Sequence, residues 1–174
     1  QLYGGDISAL SDVHQAYPEM MLYFTEQWVG ADGQFAGDLL WHVRNVLIGS
    51  IRNWSQVVLE WNLASDPFCC PHTSGGEARC VGALTIGDEI TRNVAYYVIA
   101  HASKLVRPGS VKIHSDTQTL LANVAFLTPD NKIVLIALND GPKALSFYIG
   151  YHGKKAATSL PAGAVATYVW RTAE

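Results

Sequence analysis

Two short, mostly apolar runs, Met20-Met21-Leu22-Tyr23-Phe24-Thr25 and Val57-Val58-Leu59-Glu60-Trp61, restrict the possible folds of this chain more than any other feature. A strand with one face in water alternates polar and apolar residues. These runs do not alternate, so both read as strands covered on both faces, as in parallel sheets. Parallel neighbours need a crossover, and the sequence between the runs supplies one. A Gly- and Asp-containing loop (Gly30 to Gly37) leads to Asp38, a good N-cap, after which Leu39, Val43, Val46, Leu47 and Ile51 recur at helical spacing. A shorter helix, Ser8 to Tyr17, precedes the first run and is stopped by Pro18. A long loop rich in Pro, Gly, Ser and Cys runs from Ala64 to about Gly82, and loops of that length are usually functional. Thr91 then caps a predicted helix from Asn93 to Lys104 that Pro108-Gly109 ends. The order strand, helix, strand, long loop, helix fits two successive units of a parallel β/α architecture.

The pattern changes near Arg107 to Ser110. Val111–Ser115, Asn123–Leu127, Lys132–Leu138, Leu145–Ile149 and Ala164–Trp170 are short β-prone runs. Pro129-Asp130-Asn131, Asn139-Asp140-Gly141-Pro142, His152-Gly153 and Pro161-Ala162-Gly163 separate them as turns. An antiparallel meander, half of a sandwich, is expected here. The expected domains are residues 1–109 and 110–174.

Composition narrows the function classes. Of 174 residues, 49% are hydrophobic and 16% charged, so the chain can bury a core and is not of the disordered type. Its net charge is -3, and Lys and Arg are scattered without a basic stripe, so nucleic acid is not an expected partner. No apolar stretch approaches the ~20 residues of a membrane helix. No signal peptide is visible at Gln1. Cys69, Cys70 and Cys80 sit in one loop: either Cys69 or Cys70 pairs with Cys80, or all three are thiols, and no fourth ligand at zinc spacing accompanies them. Asn53-Trp54-Ser55 fits the N-glycosylation pattern. The six histidines are dispersed, no Ser lies in a G-x-S-x-G elbow, and Gly4-Gly5 and Gly75-Gly76 fit no phosphate loop.

Glu26 follows the first apolar run directly, and Trp61-Asn62 ends the second. In (β/α) barrels, strand C-termini carry the active-site groups. A carboxylate beside an indole suits a sugar: the ring offers a flat face, and the carboxylate attacks or stabilises an oxocarbenium-like centre. By position alone, a glutamate that ends a strand is more often solvated or salt-bridged than catalytic.

Five stretches in order resemble glycoside hydrolase family 30, the glucosylceramidase-like retaining β-glycosidases. They are LYGGDISALSDVHQAYPEMMLYFTEQWVG, NWSQVVLEWNLASDP, GALTI with YYVIAHASKLVRPGSVKI, NVAFLTPDNKIVLIALND and SLPAGAVATYVWR. The resemblance implies an α/β plus all-β fold: the last units of a (β/α)8 TIM barrel, then strands of an antiparallel β-sandwich. It implies Glu26 as the nucleophile, Tyr3 as the tyrosine that orients it, and Trp61 as a wall of the sugar pocket. Asn62 matches the same motif, touching substrate or bracing the loop, and Gln27 and Trp28 could face the cleft. No metal or organic cofactor is implied. The implied substrate is a β-linked glucoside or glucan, glucosylceramide included, in a secreted or lysosome-like setting.

The departures are specific. The family's acid/base glutamate lies in an Asn-Glu-Pro-type segment on an earlier strand, and no such segment occurs here. A whole barrel needs ~250 residues, and only about two of its units fit before Arg107. Gln1-Leu2 stand where relatives have His and an aromatic, Cys69-Cys70-Pro71 where they tend to have Gly-Gly-Pro, and Glu77 where many have a second cysteine. That last change puts the family's usual local disulfide in doubt, with Cys69 or Cys70 as a substitute partner for Cys80. A retaining mechanism needs two carboxyls ~5–5.5 Å apart. The expectation is therefore that a second polypeptide with the earlier strands supplies the acid/base. The competing expectation is a non-catalytic carbohydrate-binding or supporting piece. Alone, the unpaired strand edges should make the chain aggregate or associate.

Overall fold

A strand–helix–strand unit forms as the two apolar runs require. The computed structural model describes residues 5–172, and the chain divides after Lys104 into two units. In the first, α1 (Ala9–Ala16) ends at Tyr17, whose extended φ of -138° precedes Pro18. Strand β1 (Leu22–Phe24) is shorter than its apolar run and β2 (Val29–Gly30) follows it. Helix α2 (Phe35–Trp41) continues into wider π-helical turns over His42–Gly49 and a last turn, α3 (Ser50–Arg52).

This helical stretch starts earlier than the Asp38 cap predicts. Gln34, in extended backbone, precedes Phe35, and Asp38 falls in the first turn, where a carboxylate suits the helix dipole. Its carboxylate closes over Gly33, in the space a Cβ would take. Val43, Val46 and Leu47 of the predicted apolar face are buried, Leu39 and Ile51 at its ends are half-buried, and Ile48 beside the face is buried as well.

Strand β3 (Ser55–Val58) pairs with β1 in parallel, Tyr23 against Val57 and Phe24 against Val58, with a bulge after Leu22. Ser55 fills the bulge. Its Oγ accepts from Phe24 N–H at 3.0 Å and donates to Val57 O at 2.7 Å, replacing ladder bonds. Among the described residues β1 and β3 pair only with each other, and Met20, Met21, Tyr23 and Leu59 are exposed around them.

The long loop is bounded by short strands. β4 (Ala64–Ser65) runs parallel to β6 (Leu84–Ile86), β5 (Cys80–Val81) pairs antiparallel with β2, and β7 (Ile90–Arg92) returns along β6. Thr91 therefore lies in a strand. The extended Asn93 starts α4 (Val94–Ser103), its amide donating to Gly82 O and Thr85 Oγ1 at 2.8 Å each.

In the second unit, β8 (Val111–Ile113), β9 (Leu121–Leu127), β10 (Lys132–Asn139) and β13 (Val165–Arg171) make one antiparallel sheet in the order β13-β10-β9-β8. β11 (Leu145–Tyr151) and β12 (Lys154–Leu160) form a separate hairpin. The chain is thus not a simple meander, because it leaves the sheet after β10 and returns as β13 on β10's other edge. Leu145, Phe147 and Leu160 of the hairpin pack with Leu121, Ala137, Ala166 and Tyr168 of the sheet, giving the two layers of a sandwich. Ile136 and Leu138 of central β10 are fully buried. Strand β12 was not foreseen, since Lys154-Lys155-Ala156-Ala157 has little β-propensity. Its pairing and the His152-Gly153 turn, with φ of 46° and 75°, hold it. No helix among the described residues is long and apolar enough to cross a membrane.

Candidate active site

The parallel register of β1 and β3 carries on beyond both strands and sets the site. Leu59 N–H donates to Phe24 O at 2.9 Å and Trp61 N–H to Gln27 O at 2.6 Å, and Trp28 and Trp61 form a parallel bridge. Glu26 and Trp61 are thereby held at adjacent strand ends. Glu26, Trp28, Trp61 and Asn62 line one open cavity of about 650 Å³ with Cys69, Glu77 and Cys80.

Gln27 is not among these lining residues. It is 1% exposed, and its Oε1 accepts from Trp28 N–H at 3.0 Å. The reading that turned it toward the cleft is corrected by that burial: alternation between Glu26 and Trp28 sends the intervening side chain inward. Tyr3 lies outside the described residues.

Asn62 is held by its backbone, with its carbonyl accepting from Ala83 N–H at 2.7 Å. Its side-chain Oδ1 is buried with no hydrogen-bond partner among the described residues. Gly82 permits this approach. A Cβ there would sit 2.6 Å from the Ala64 backbone and 2.7 Å from Asn62 Oδ1, so backbone must move. Gly82→Ala is expected to cost roughly 2 kcal/mol of stability, as overpacking does, read as a lower urea midpoint.

The far wall is the long loop. Arg79 lies with its guanidinium 5.7 Å from the Trp28 ring centre. Glu77 grips it with two bonds of 2.8 and 3.0 Å, and Asp32 lies 3.5 Å away. The bonds from Arg79 hold the Glu77 carboxyl below its usual range. Cys69, Cys70 and Cys80 are all thiols. Burial, then the negative charges of Glu77 and Glu26, push the Cys80 thiol up, which disfavours its thiolate. Sequence reasoning left Glu77, Arg79 and the two cavity thiols unassigned, and the length of the loop was the signal that pointed toward them. No group of three His, Cys, Asp or Glu among the described residues could hold a metal ion.

Known proteins match this chain along nearly all of it. Residues 109–168 match the glycosyl hydrolase family 30 β-sandwich domain. The endo-1,6-β-D-glucanase neg1 of Aspergillus fumigatus is 32% identical over 94% of this chain and 34% of its own length. The lysosomal acid glucosylceramidase of Mus musculus is 25% identical over the same shares. The chain therefore spans about a third of the length of these curated relatives. Among solved structures, the endo-β1,6-glucanase BT3312 superposes with a TM-score of 0.90 at 33% identity, over 98% of this chain and 40% of that one. A family 30 endoxylanase from Clostridium papyrosolvens shares the fold at a TM-score of 0.70 and 19% identity, over 98% of this chain and 47% of its own. The second unit of this chain carries the glycosyl hydrolase family 30 β-sandwich domain, and the chain as a whole is similar to about a third of the length of the curated glycosidases named above.

Proposed function

We propose that this chain supplies the nucleophile side of a retaining β-glycosidase active site that cleaves β-linked glucans. The observation that carries the reading is the gathering of Glu26, Trp28, Trp61 and Asn62 around one cavity. Glu26 attacks the anomeric carbon, the leaving oxygen takes a proton from an acid, and water then releases the sugar from the glycosyl-enzyme ester. Trp61 offers its ring, 49% exposed, as a platform for a pyranose face. Asn62 lines the same cavity and offers its amide nitrogen to a sugar hydroxyl, its Oδ1 being packed against Gly82. Tyr3 orients Glu26, and Trp28 forms the cavity rim under Arg79.

The acid/base comes from outside these residues. The second cavity carboxylate, Glu77, is doubly bonded to Arg79 and so is held ionised, the wrong state for a proton donor. Among the described residues β1 and β3 have no outer partners, which supports the same conclusion, since barrel strands are paired on both sides. Those flanking strands and the acid/base lie elsewhere in the same polypeptide or in a second one. An extracellular or lysosome-like location belongs to this reading, because one relative is named as lysosomal.

The likeness to two endo-β-1,6-glucanases favours β-1,6-glucan over glucosylceramide as substrate. Proton NMR of the first product from the full-length protein tests this. The expected result is hydrolysis of β-1,6-glucan with the β anomer appearing first. The α anomer first, or no hydrolysis of either substrate, contradicts the reading.

A further inference from the structure

The residue before Trp61 is an acid turned the opposite way. Trp61 faces the cavity, whereas the Glu60 side chain is 3% exposed, and its Oε1 lies 2.8 Å from Nδ1 of His42, itself 5% exposed. His42 is the first residue of the π-helical turns, a distortion frequent at functional sites, and the Trp41 ring meets it edge-on at 5.1 Å. The other carboxylate oxygen, Oε2, is buried with no hydrogen-bond partner among the described residues.

A buried pair of this kind is a poor stabiliser, since apolar side chains of similar volume often do as well or better. What it does provide is a fixed geometry. Glu60 is one peptide from Trp61 and two from Asn62, and the bond to His42 ties that segment to the helix behind it. In front, the 2.6 Å bond from Trp61 N–H to Gln27 O ties it to the segment carrying Glu26.

We propose that Glu60, held by His42, is a positioning residue that sets the orientation of Trp61 and Asn62 toward the sugar. The inference rests on the reading of Trp61 as a sugar-binding residue. It acts on binding geometry and leaves the chemistry of Glu26 alone, so its signature is a split between KM and kcat.

The test compares Glu60→Ala, Glu60→Gln, Glu60→Asp and Trp61→Ala in the full-length protein on β-1,6-glucan. Glu60→Ala is expected to raise KM about tenfold with kcat within about threefold of wild type, the pattern of lost uniform binding. Glu60→Gln keeps an oxygen for His42 and restores KM. Glu60→Asp retains the charge but withdraws it by one methylene, so it raises KM too. It is the deciding variant should Glu60→Ala fail to fold. If Trp61→Ala raises KM and both Glu60→Ala and Glu60→Asp leave it unchanged, the positioning role is overturned while the sugar site stands. If Trp61→Ala leaves KM unchanged, the sugar-site reading falls and this inference falls with it.

Discussion

Glu26→Gln in the full-length protein is expected to lower kcat on β-glucan by roughly 10³-fold or more, the scale on which losing a covalent participant is felt. The melting temperature should barely move. Glu26 is exposed at a strand end, and Gln matches its shape and keeps an oxygen acceptor, so the fold should lose little. KM should change little, because the sugar is held by its faces and hydroxyls at Trp61 and Asn62. A variant that keeps near-wild-type turnover removes the carboxylate from the chemistry. A variant that unfolds would mean that Glu26 is structural, the reading its position alone allowed.

The largest expected loss of stability lies in the sandwich, at Asn139. This residue is fully buried at the end of β10. Its amide nitrogen donates to the carbonyls of Lys143, Leu160 and Pro161 at 2.8 to 3.0 Å, and its Oδ1 accepts from Gly141 N–H at 3.0 Å. One side chain thus ties the exit from the sheet to both ends of the β11–β12 hairpin. Asn139→Ala strands a buried N–H and several carbonyls together, and since each such group costs about 1–3 kcal/mol, a loss of about 3 kcal/mol or more is expected. Asn139→Asp keeps the shape but turns the donor into an acceptor facing carbonyls, so it should be at least as damaging. Urea unfolding of both variants checks this. If the Asp variant is as stable as wild type, the amide donors are not what holds the hairpin.

The sequence showed Asn139 as part of a turn, yet nothing in it showed the hub. A turn signal is local, whereas the partners Leu160 and Pro161 are brought in by tertiary pairing. The same limit explains β12, which is held by its neighbour and by the His152-Gly153 turn rather than by its own residues. Features stated by periodicity were legible: the β1–helix–β3 unit, the apolar face of Val43, Val46 and Leu47, and the β-rich second half. Boundaries were less so. Phe35 begins its helix before Asp38 because Gly33 gives the carboxylate room, a steric fact that no propensity encodes.

The candidate site divides along the same line. Glu26, Trp28, Trp61 and Asn62 were named from strand ends and resemblance, and all four line one cavity. Gln27 turns inward because the alternation of β1 breaks after Phe24, where Thr25 and Glu26 are both exposed and the next side chain is buried. The Glu77–Arg79 pair and the buried His42–Glu60 pair join residues on separate segments or in irregular loop, where spacing carries no signal.

The most direct measurement is active-site labelling of a full-length preparation that turns over β-glucan, using a 2-deoxy-2-fluoro-β-glucoside with a good leaving group. Such a reagent traps the glycosyl-enzyme ester that a retaining mechanism requires. Peptide mapping is predicted to place one fluoroglucosyl group on the segment containing Thr25-Glu26-Gln27, at Glu26, and to find none in the Glu26→Gln variant. A label on any other carboxylate, or an actively hydrolysing enzyme that never takes up the label, contradicts the assignment of Glu26 as nucleophile.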